Sequence, residues 1–318
     1  MSRAELLGRL ALPLAWLGVI VLFGALEPDT FLTAANFETI FGSQAVLVVL
    51  TLGLLIPLTS GDYDLSVASI LSLSAMVVAL LNAQEGWALG PAIVVGLLAG
   101  AAAGVVNGAI VVLLNVDSFI ATLGSGSFIS GVVLWISDSN TIGGISDRLV
   151  DPVIVWDLFG VPLAFYYGLL LCILVWYYLE YTAPGRRLLF VGRGRSVARL
   201  SGVRVGRARW GALAASGTVA GLAGVLYAGT TGGADPSSGA TFLLPAFAAA
   251  FLGATSILPG RFNPWGSFIA VYFLVTGVTG LQLLGAESFV QQLFYGGALI
   301  LAVALAQLGR GPGVVEEG

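Results

Sequence analysis

The chain has 318 residues, of which 58% are hydrophobic and only 9% are charged, with a net charge of −4. Soluble domains carry about 25% charged residues, so the composition excludes a water-soluble protein and predicts an integral membrane protein. The absence of His and the presence of a single Cys exclude His-based catalytic triads and argue against zinc, haem and iron–sulfur sites. We therefore expect no catalytic residue, no metal and no bound cofactor.

Long apolar segments recur along the whole chain. A helix needs about 20 apolar residues to cross a bilayer, and ten uncharged segments approach that length. They are 10–26, 42–59, 65–82, 88–114, 118–136, 161–179, 210–229, 242–258, 264–284 and 288–308. We therefore predict an all-α integral membrane protein with about ten transmembrane helices, forming a single domain over residues 1–318.

Two of these segments have unusual features. Segment 88–114 carries glycine at every fourth position from Gly96 to Gly108. Such spacing lets helix backbones approach closely, and we expect this segment to be an inner helix of the bundle. Segment 242–258 is short and contains Pro245, so it either spans the membrane as one helix or is a half-inserted or broken helix.

Positive charge is concentrated in residues 183–209. Eight of the 13 Arg lie there and no acidic residue offsets them; these are residues 186, 187, 193, 195, 199, 204, 207 and 209. Basic loops stay on the cytoplasmic side of a membrane. With six spans before this loop and four after it, both termini are predicted to be cytoplasmic as well. Of the 13 Arg, only Arg148, in loop 137–160, then lies outside.

Part of this basic loop has the pattern of a short surface helix between Arg195 and Ser201. Val197 and Leu200 form one apolar face of it, and Gly202 is placed to close its carboxyl end. A short helix of this kind can dock into a groove on a partner protein. The alternative is a juxtamembrane segment bound to anionic lipid.

Residues 60–68, which join the second and third spans, read SGDYDLSVA. Gly61 permits a tight turn, and the side chain of Asp64 or Ser66 is placed to cap the helix that follows. The alternative is that these polar side chains contact a transported solute.

The chain has no Lys, so it contains no Walker A motif and cannot hydrolyse ATP by that route. Ionisable residues within spans mark ion-coupled carriers, and the ten predicted spans contain none. A proton- or sodium-coupled carrier would have to use Asp62, Asp64 and Asp117 at the span boundaries. An uphill transporter of this composition needs an external source of energy.

Several stretches, taken together, resemble the membrane subunit of bacterial ABC importers for monosaccharides, the ribose/xylose-type permeases. GDYDLSVASILSLSA is similar to that family's Gly-Gly-Ile-Asp-Leu-Ser-Val-Gly signature, with Asp62 in place of the second Gly and Ala68 in place of the last. GVVNGAIV around Asn107, FIATLGS from Phe119 and ARLSGVRVGRARW from Ala198 also match. So do LPAFAAAFLGATSILPGRFNPWGSF and FVQQLFYGGALILAVAL in the last third. The resemblance extends from about residue 40 onward.

This resemblance implies a type II ABC importer-like permease rather than an enzyme. It implies that loop 183–209 contains the coupling segment, with the coupling residues Arg195, Ala198, Arg199, Ser201 and Gly202. It also places six residues along the translocation path, which are Asp62, Asp64, Ser66, Asn107, Phe119 and Gln291.

The resemblance also implies partners. They are a second permease copy or paralogue, two cytoplasmic ATPases that use the ATP, and a periplasmic or lipid-anchored sugar-binding protein at a bacterial inner membrane. Two alternatives stay open. One is a permease of the same architecture for a nucleoside or another small polar solute, and the other is a self-powered carrier or channel.

Overall fold

The computed structural model describes residues 3–308, with side chains described from residue 8 to residue 304. Within that range, eight helices are long and apolar enough to cross a membrane. They are α1 (Arg3–Leu26), the consecutive pair α3 (Ala34–Ser43) and α4 (Ala45–Thr59), α5 (Val67–Ala79) with the π-helical turn Leu80–Gln84, α6 (Leu89–Leu113), α7 (Ser118–Ile136), α9 (Leu163–Tyr181), α12 (Val205–Thr231) and α14 (Pro264–Leu283).

Two further apolar helices and several short elements complete the chain. The apolar ones are α13 (Ala240–Gly253) and α15 (Ser288–Leu308). The short ones are α2 (Pro28–Phe31), α8 (Asp147–Val150), the π-helical turn Asp151–Val155, α10 (Ala183–Arg193) and α11 (Arg195–Leu200). The all-α membrane fold is confirmed, and each predicted segment corresponds to one of these helices.

Helix α4 lies at the centre of the bundle. All 15 of its residues are buried, and its sequence AVLVVLTLGLLIPLT is apolar on every face. A helix that is apolar all round is stable when other helices surround it, and α5, α9, α12, α13 and α14 all pack against α4. In the connection that follows α4, residues 60–66, the side chains of Ser60, Asp62, Asp64 and Ser66 are buried.

Helix α6 is not an inner helix, and that prediction is wrong. Its glycine face packs against α12 so closely that a Cβ atom on Gly104 would come 2.6 Å from the Leu213 carbonyl oxygen. Its other face points away from the bundle, and Val94, Leu98 and Val106 are each more than half exposed. A stripe of small residues specifies one close neighbour and leaves the rest of the helix free to face lipid.

Helix α13 begins inside the bundle, after the non-helical residues 235–239, which agrees with the broken helix among the alternatives for segment 242–258. With 14 residues, it rises about 21 Å, less than the ~30 Å of a bilayer core. The amide of Gly239, just before it, donates to the Ser72 hydroxyl of α5 at 3.0 Å. A Cβ atom at Gly239 would collide with the Ala68 carbonyl oxygen, so only glycine fits at this entry point.

Four two-residue strands fasten the connections at the end of the bundle opposite residues 183–209. They are β1 (Ile142–Gly143), β2 (Asp157–Leu158), β3 (Val161–Pro162) and β4 (Gly233–Ala234); β1 pairs with β4 and β2 with β3, both antiparallel. Next to β4, the Asp235 carboxylate accepts hydrogen bonds from Ser237 and Thr141. These bonds lower the pKa of Asp235 to about 2.

Candidate functional site

The basic stretch 183–209 folds into two short helices, α10 and α11, and the first turn of α12. We call this end of the bundle the arginine-rich end. Helix α10 begins after Thr182, whose hydroxyl accepts a hydrogen bond from the Gly185 amide at 3.2 Å. Helix α10 was not predicted from the sequence. A Thr followed by Pro184 in the first turn is a helix-start signal that would have located it.

Helix α11 ends at Leu200, and Gly202 closes it as predicted. Gly202 has a φ of +80°, a backbone conformation that glycine adopts without steric cost. The Gly202 amide donates to the Arg199 carbonyl oxygen and the Val203 amide donates to the Ala198 carbonyl oxygen, both at 3.0 Å. These bonds satisfy carbonyl groups at the end of the helix and fix where the chain turns back toward α12.

One face of α11 is packed on the protein and the other is exposed. Ala198 is fully buried against Val191 of α10 and Val205 of α12. Leu200 is 90% exposed and Val197 is 58% exposed, so the predicted apolar edge faces outward. An exposed apolar edge among charged residues is typical of a contact surface.

Three of the predicted coupling residues, Arg199, Ser201 and Gly202, are exposed on the same side of the protein as this edge. Ala198 instead belongs to the packed face, where any larger side chain would lift α11 away from α10 and α12. The role of these residues in coupling stays a prediction.

Arg195 extends toward the connection between α4 and α5. Its Nη2 atom lies 2.9 Å from Asp62 Oδ1 and 2.8 Å from the Gly61 carbonyl oxygen. Arg209 of α12 binds both carboxylate oxygens, with Nη2 2.6 Å from Oδ1 and Nε 2.8 Å from Oδ2. The Asp62 side chain is fully buried. We call Asp62, Arg195 and Arg209 the Asp62 clamp.

A second polar cluster lies further along the same connection. Asp64, Ser66 and Asn107 of α6 are all buried. The Ser66 hydroxyl donates to Asp64 Oδ1 at 2.5 Å and accepts from Asn107 Nδ2 at 2.7 Å. Burial raises the pKa of the Asp64 carboxyl, and the hydrogen bonds from Ser66 oppose that rise. The structure thus brings together three of the six predicted path residues.

Three oxygen atoms around this cluster have no hydrogen-bond partner among the described residues: Asp64 Oδ2, Asn107 Oδ1 and Ser216 Oγ of α12. The cluster is therefore rich in acceptor capacity and closed to solvent. Neither Asp64 nor Ser66 caps the free amides of α5 in the predicted way. The Ser66 hydroxyl is turned to Asp64, and Asp64 accepts from the Ser66 amide at 3.1 Å.

Helix α7 holds the connection from the other side with hydroxyl groups. The Tyr63 amide donates to Ser118 Oγ at 3.1 Å and the Leu65 amide donates to Thr122 Oγ1 at 3.0 Å. Asp117 begins α7 and accepts from the Phe119 amide at 2.9 Å. Sequence reasoning missed Ser118 and Thr122, because an isolated hydroxyl in an apolar span carries no local signal of a distant partner.

The remaining two path residues lie elsewhere. The Phe119 side chain is 48% exposed, and Gln291 of α15 lies beside Gln282, with Nε2 of Gln282 3.5 Å from Oε1 of Gln291. Neither makes a hydrogen bond to Asp64, Ser66 or Asn107 within the described chain. In residues 3–308, no group of three or more acidic or Cys side chains is arranged to hold a metal ion.

A cavity of about 720 Å³ opens beside α11, between α10 and the start of α12. Arg187, Arg204 and Arg207 line it, and none of them forms a salt bridge with another described residue. Tyr178 and Leu188 form its apolar wall. The cavity therefore combines an apolar wall with uncompensated positive charge, which suits an anionic group that carries an apolar portion.

Comparison with known proteins identifies relatives along almost the whole chain. Residues 36–303 match the family model described as "Branched-chain amino acid transport system / permease component". The D-allose transport system permease protein AlsC of Escherichia coli K12 is 32% identical over 91% of this chain and 89% of its own. The ribose import permease protein RbsC of the same strain is 30% identical over 91% of each chain.

A third relative is the autoinducer 2 import system permease protein LsrD of Photorhabdus laumondii. It is 28% identical over 89% of this chain and 86% of its own. No solved structure matches the chain.

Proposed function

This chain belongs to the branched-chain amino acid transport system permease family, and we propose that it is the transmembrane subunit of an ABC importer for a monosaccharide. The family description names amino acids, whereas relatives that align over nine-tenths of the chain are permeases for allose and ribose. These two relatives favour a monosaccharide over a nucleoside or another small polar solute. The chain is a permease subunit rather than an enzyme.

The observation that carries the proposal is helix α11. It presents Leu200 and Val197 outward beside Arg199, and its position is fixed by Ala198 and the Gly202 turn. A permease without a Walker A motif needs an engine outside the chain. A fixed helix with an exposed apolar edge offers that engine a place to dock. We therefore assign α11 as the coupling helix and a pair of ATPase subunits as its partner.

The proposed orientation places the arginine-rich end in the cytoplasm. Eight Arg lie in residues 183–209, and basic loops resist translocation across a bacterial inner membrane. Ten crossings of the membrane then place both termini in the cytoplasm. Arg310, which this topology also assigns to the cytoplasm, lies outside the described residues. The cavity lined by Arg187, Arg204 and Arg207 would face the headgroups of anionic lipid at this surface.

The opposite end carries the strand-fastened connections, and we assign it to the extracytoplasmic sugar-binding protein. A second permease, identical or different, completes the translocation path. In the conformation described here, Asp64, Ser66 and Asn107 are buried, so a solute reaches them only after helices around the connection move apart. Movement of α11 on the closing of the ATPases supplies that change, and hydrolysis of ATP on the partner resets it.

The test is to purify the tagged chain from its native membranes in mild detergent and identify its partners by mass. The proposal expects an ATPase subunit with a Walker A motif, and expects Leu200→Asp to remove it from the complex while leaving the permease in the membrane. Phe159→Asp is the matched control, because Phe159 is 92% exposed and lies between β2 and β3 at the opposite end of the bundle. A partner-free chain that transports solute in a sodium or proton gradient would refute the proposal, and Asp64 would then become the residue to titrate.

A further inference from the structure

The Asp62 clamp is built differently from an ordinary surface ion pair. Asp62 is fully buried, whereas the Arg195 side chain is 42% exposed and the Arg209 side chain is 15% exposed. A buried carboxylate is stable only when opposite charge and hydrogen bonds compensate it. Arg209 supplies a two-point contact, and Arg195 together with the Ser60 hydroxyl, 3.2 Å from Oδ2, completes the shell.

Arg195 is the first residue of α11, so the clamp joins that helix to the α4–α5 connection. Besides Asp62, its Nη2 atom contacts the carbonyl oxygens of Gly61 and Ser60, at 2.8 and 3.4 Å. One guanidinium group therefore holds two backbone carbonyls and one carboxylate of the connection. A displacement of α11 cannot leave this connection in place unless these bonds break.

The connection in turn contacts several membrane helices within a few residues. Tyr63 stacks on Phe247 of the short helix α13, with ring centroids 6.5 Å apart. Its backbone is bonded to the hydroxyls of Ser118 and Thr122 on α7. Asp64 and Ser66 continue to Asn107 on α6. A shift of residues 60–66 therefore acts on α6, α7 and α13 together.

We infer that Asp62 is a positioning residue that transmits the movement of α11 to the polar cluster of Asp64, Ser66 and Asn107. This inference rests on the proposed function, because it needs α11 to be moved by an ATPase. Arg195 is the moving partner, since it belongs to α11 and is partly exposed. Arg209 is the fixed partner, since it belongs to the long helix α12. Asp62 stands at the position where the signature that this stretch resembles has its second glycine.

A second ion pair at the same end of the bundle provides a matched control. Arg261, between α13 and α14, binds Glu180 near the end of α9. Both side chains are about one-quarter exposed, and neither belongs to α11 or to residues 60–66. Removing this pair perturbs the stability of the arginine-rich end without touching the proposed route.

The experiment uses the purified complex with its ATPase and binding protein, reconstituted in proteoliposomes. It measures solute imported per ATP hydrolysed, basal ATP hydrolysis and thermal midpoint for Arg195→Ala, Asp62→Asn, the double variant and the control Glu180→Gln. We expect each clamp variant to lower the import-to-hydrolysis ratio at least about fivefold, the lower range of typical coupling between sites. Glu180→Gln leaves both the ratio and basal hydrolysis unchanged.

The double variant tests whether Asp62 and Arg195 act through their shared contact or independently of each other. If both residues act through one contact, the double variant is no worse than Asp62→Asn alone. Arg195→Lys keeps the positive charge with a single donor group, so its import-to-hydrolysis ratio should lie between those of Arg195→Ala and the unmodified complex. Should Asp62→Asn fail to assemble because Arg209 is left unpaired, Arg195→Ala decides the matter, since it leaves the Asp62–Arg209 pair intact.

An unchanged ratio in Arg195→Ala, in a complex that hydrolyses ATP, would overturn the inference while leaving the proposed function standing. An equal loss in Glu180→Gln would also overturn it, because the effect would then follow stability rather than the route. A chain that assembles with no ATPase would overturn the proposed function and the inference with it.

Discussion

Helices α6 and α12 meet along a seam where backbone touches backbone. A Cβ atom on Gly217 would come 2.6 Å from both the Gly100 carbonyl oxygen and Gly104 Cα. Ordinary contact begins near 3.4 Å, so Gly217→Ala must move the two backbones apart by about 0.8 Å. Backbone atoms cannot turn aside as a flexible side chain can, and the separation spreads along the seam toward Asn107.

Overpacking of this kind costs about 1–3 kcal/mol, and the better helix propensity of Ala offsets at most about 1 kcal/mol of it. We therefore expect Gly217→Ala to lower the free energy of unfolding and the thermal midpoint of the purified protein. Cys172 is the only Cys in the chain and is buried. Its reaction with a fluorogenic maleimide during heating reports unfolding directly.

Gly131→Ala is the matched control for this measurement. Gly131 lies in α7, and a Cβ atom there meets nothing within 4 Å, so the substitution should leave the thermal midpoint unchanged or raise it. Equal midpoints for Gly217→Ala and the unmodified protein would refute the seam argument. A loss in the Gly131→Ala control would show that the assay reports glycine content and not packing.

Three further outcomes follow from single side chains. Leu200→Asp should abolish ATPase association without lowering the thermal midpoint, because Leu200 is 90% exposed; co-purification and unfolding measured on one sample check both. Burial raises the pKa of the Asp64 carboxyl above 3.8, so the free energy of unfolding falls as the pH rises from 3.8 toward the folded-state pKa. Thermal midpoints measured across this pH range should fall less in Asp64→Asn than in the unmodified protein. Asp235 has a pKa lowered to about 2, so Asp235→Asn should be less stable above pH 3.8, with the difference vanishing toward pH 2.

The membrane fold was predictable from local patterns. Apolar length located the ten helices, and the arginine distribution located the basic connection between the sixth and seventh of them. The turn at Gly202 was predictable because a positive φ favours glycine. The outward edge of Val197 and Leu200 followed from helical spacing. Each of these features depends on residues that are close together in the sequence.

The features that the sequence did not predict depend on distant residues. Asp62 is separated by 133 residues from Arg195 and by 147 from Arg209, and no local pattern links them. The glycine stripe of α6 correctly indicated a close helix contact. It did not indicate the number of neighbours, which is why its inner position was predicted wrongly. The candidate path residues were chosen because they lie in stretches that resemble the permease family. The packing of the helices separates Phe119 and Gln291 from the buried cluster of Asp64, Ser66 and Asn107.

The most direct test of the account is solute uptake by proteoliposomes that contain this chain, its co-purified ATPase and its binding protein. ATP is enclosed on the side of α11, and labelled allose and ribose are supplied on the other side. The account predicts uptake of a monosaccharide that requires ATP and both partners and that Leu200→Asp abolishes. Uptake by the chain alone, unaffected by ATP or by Leu200→Asp, would contradict it.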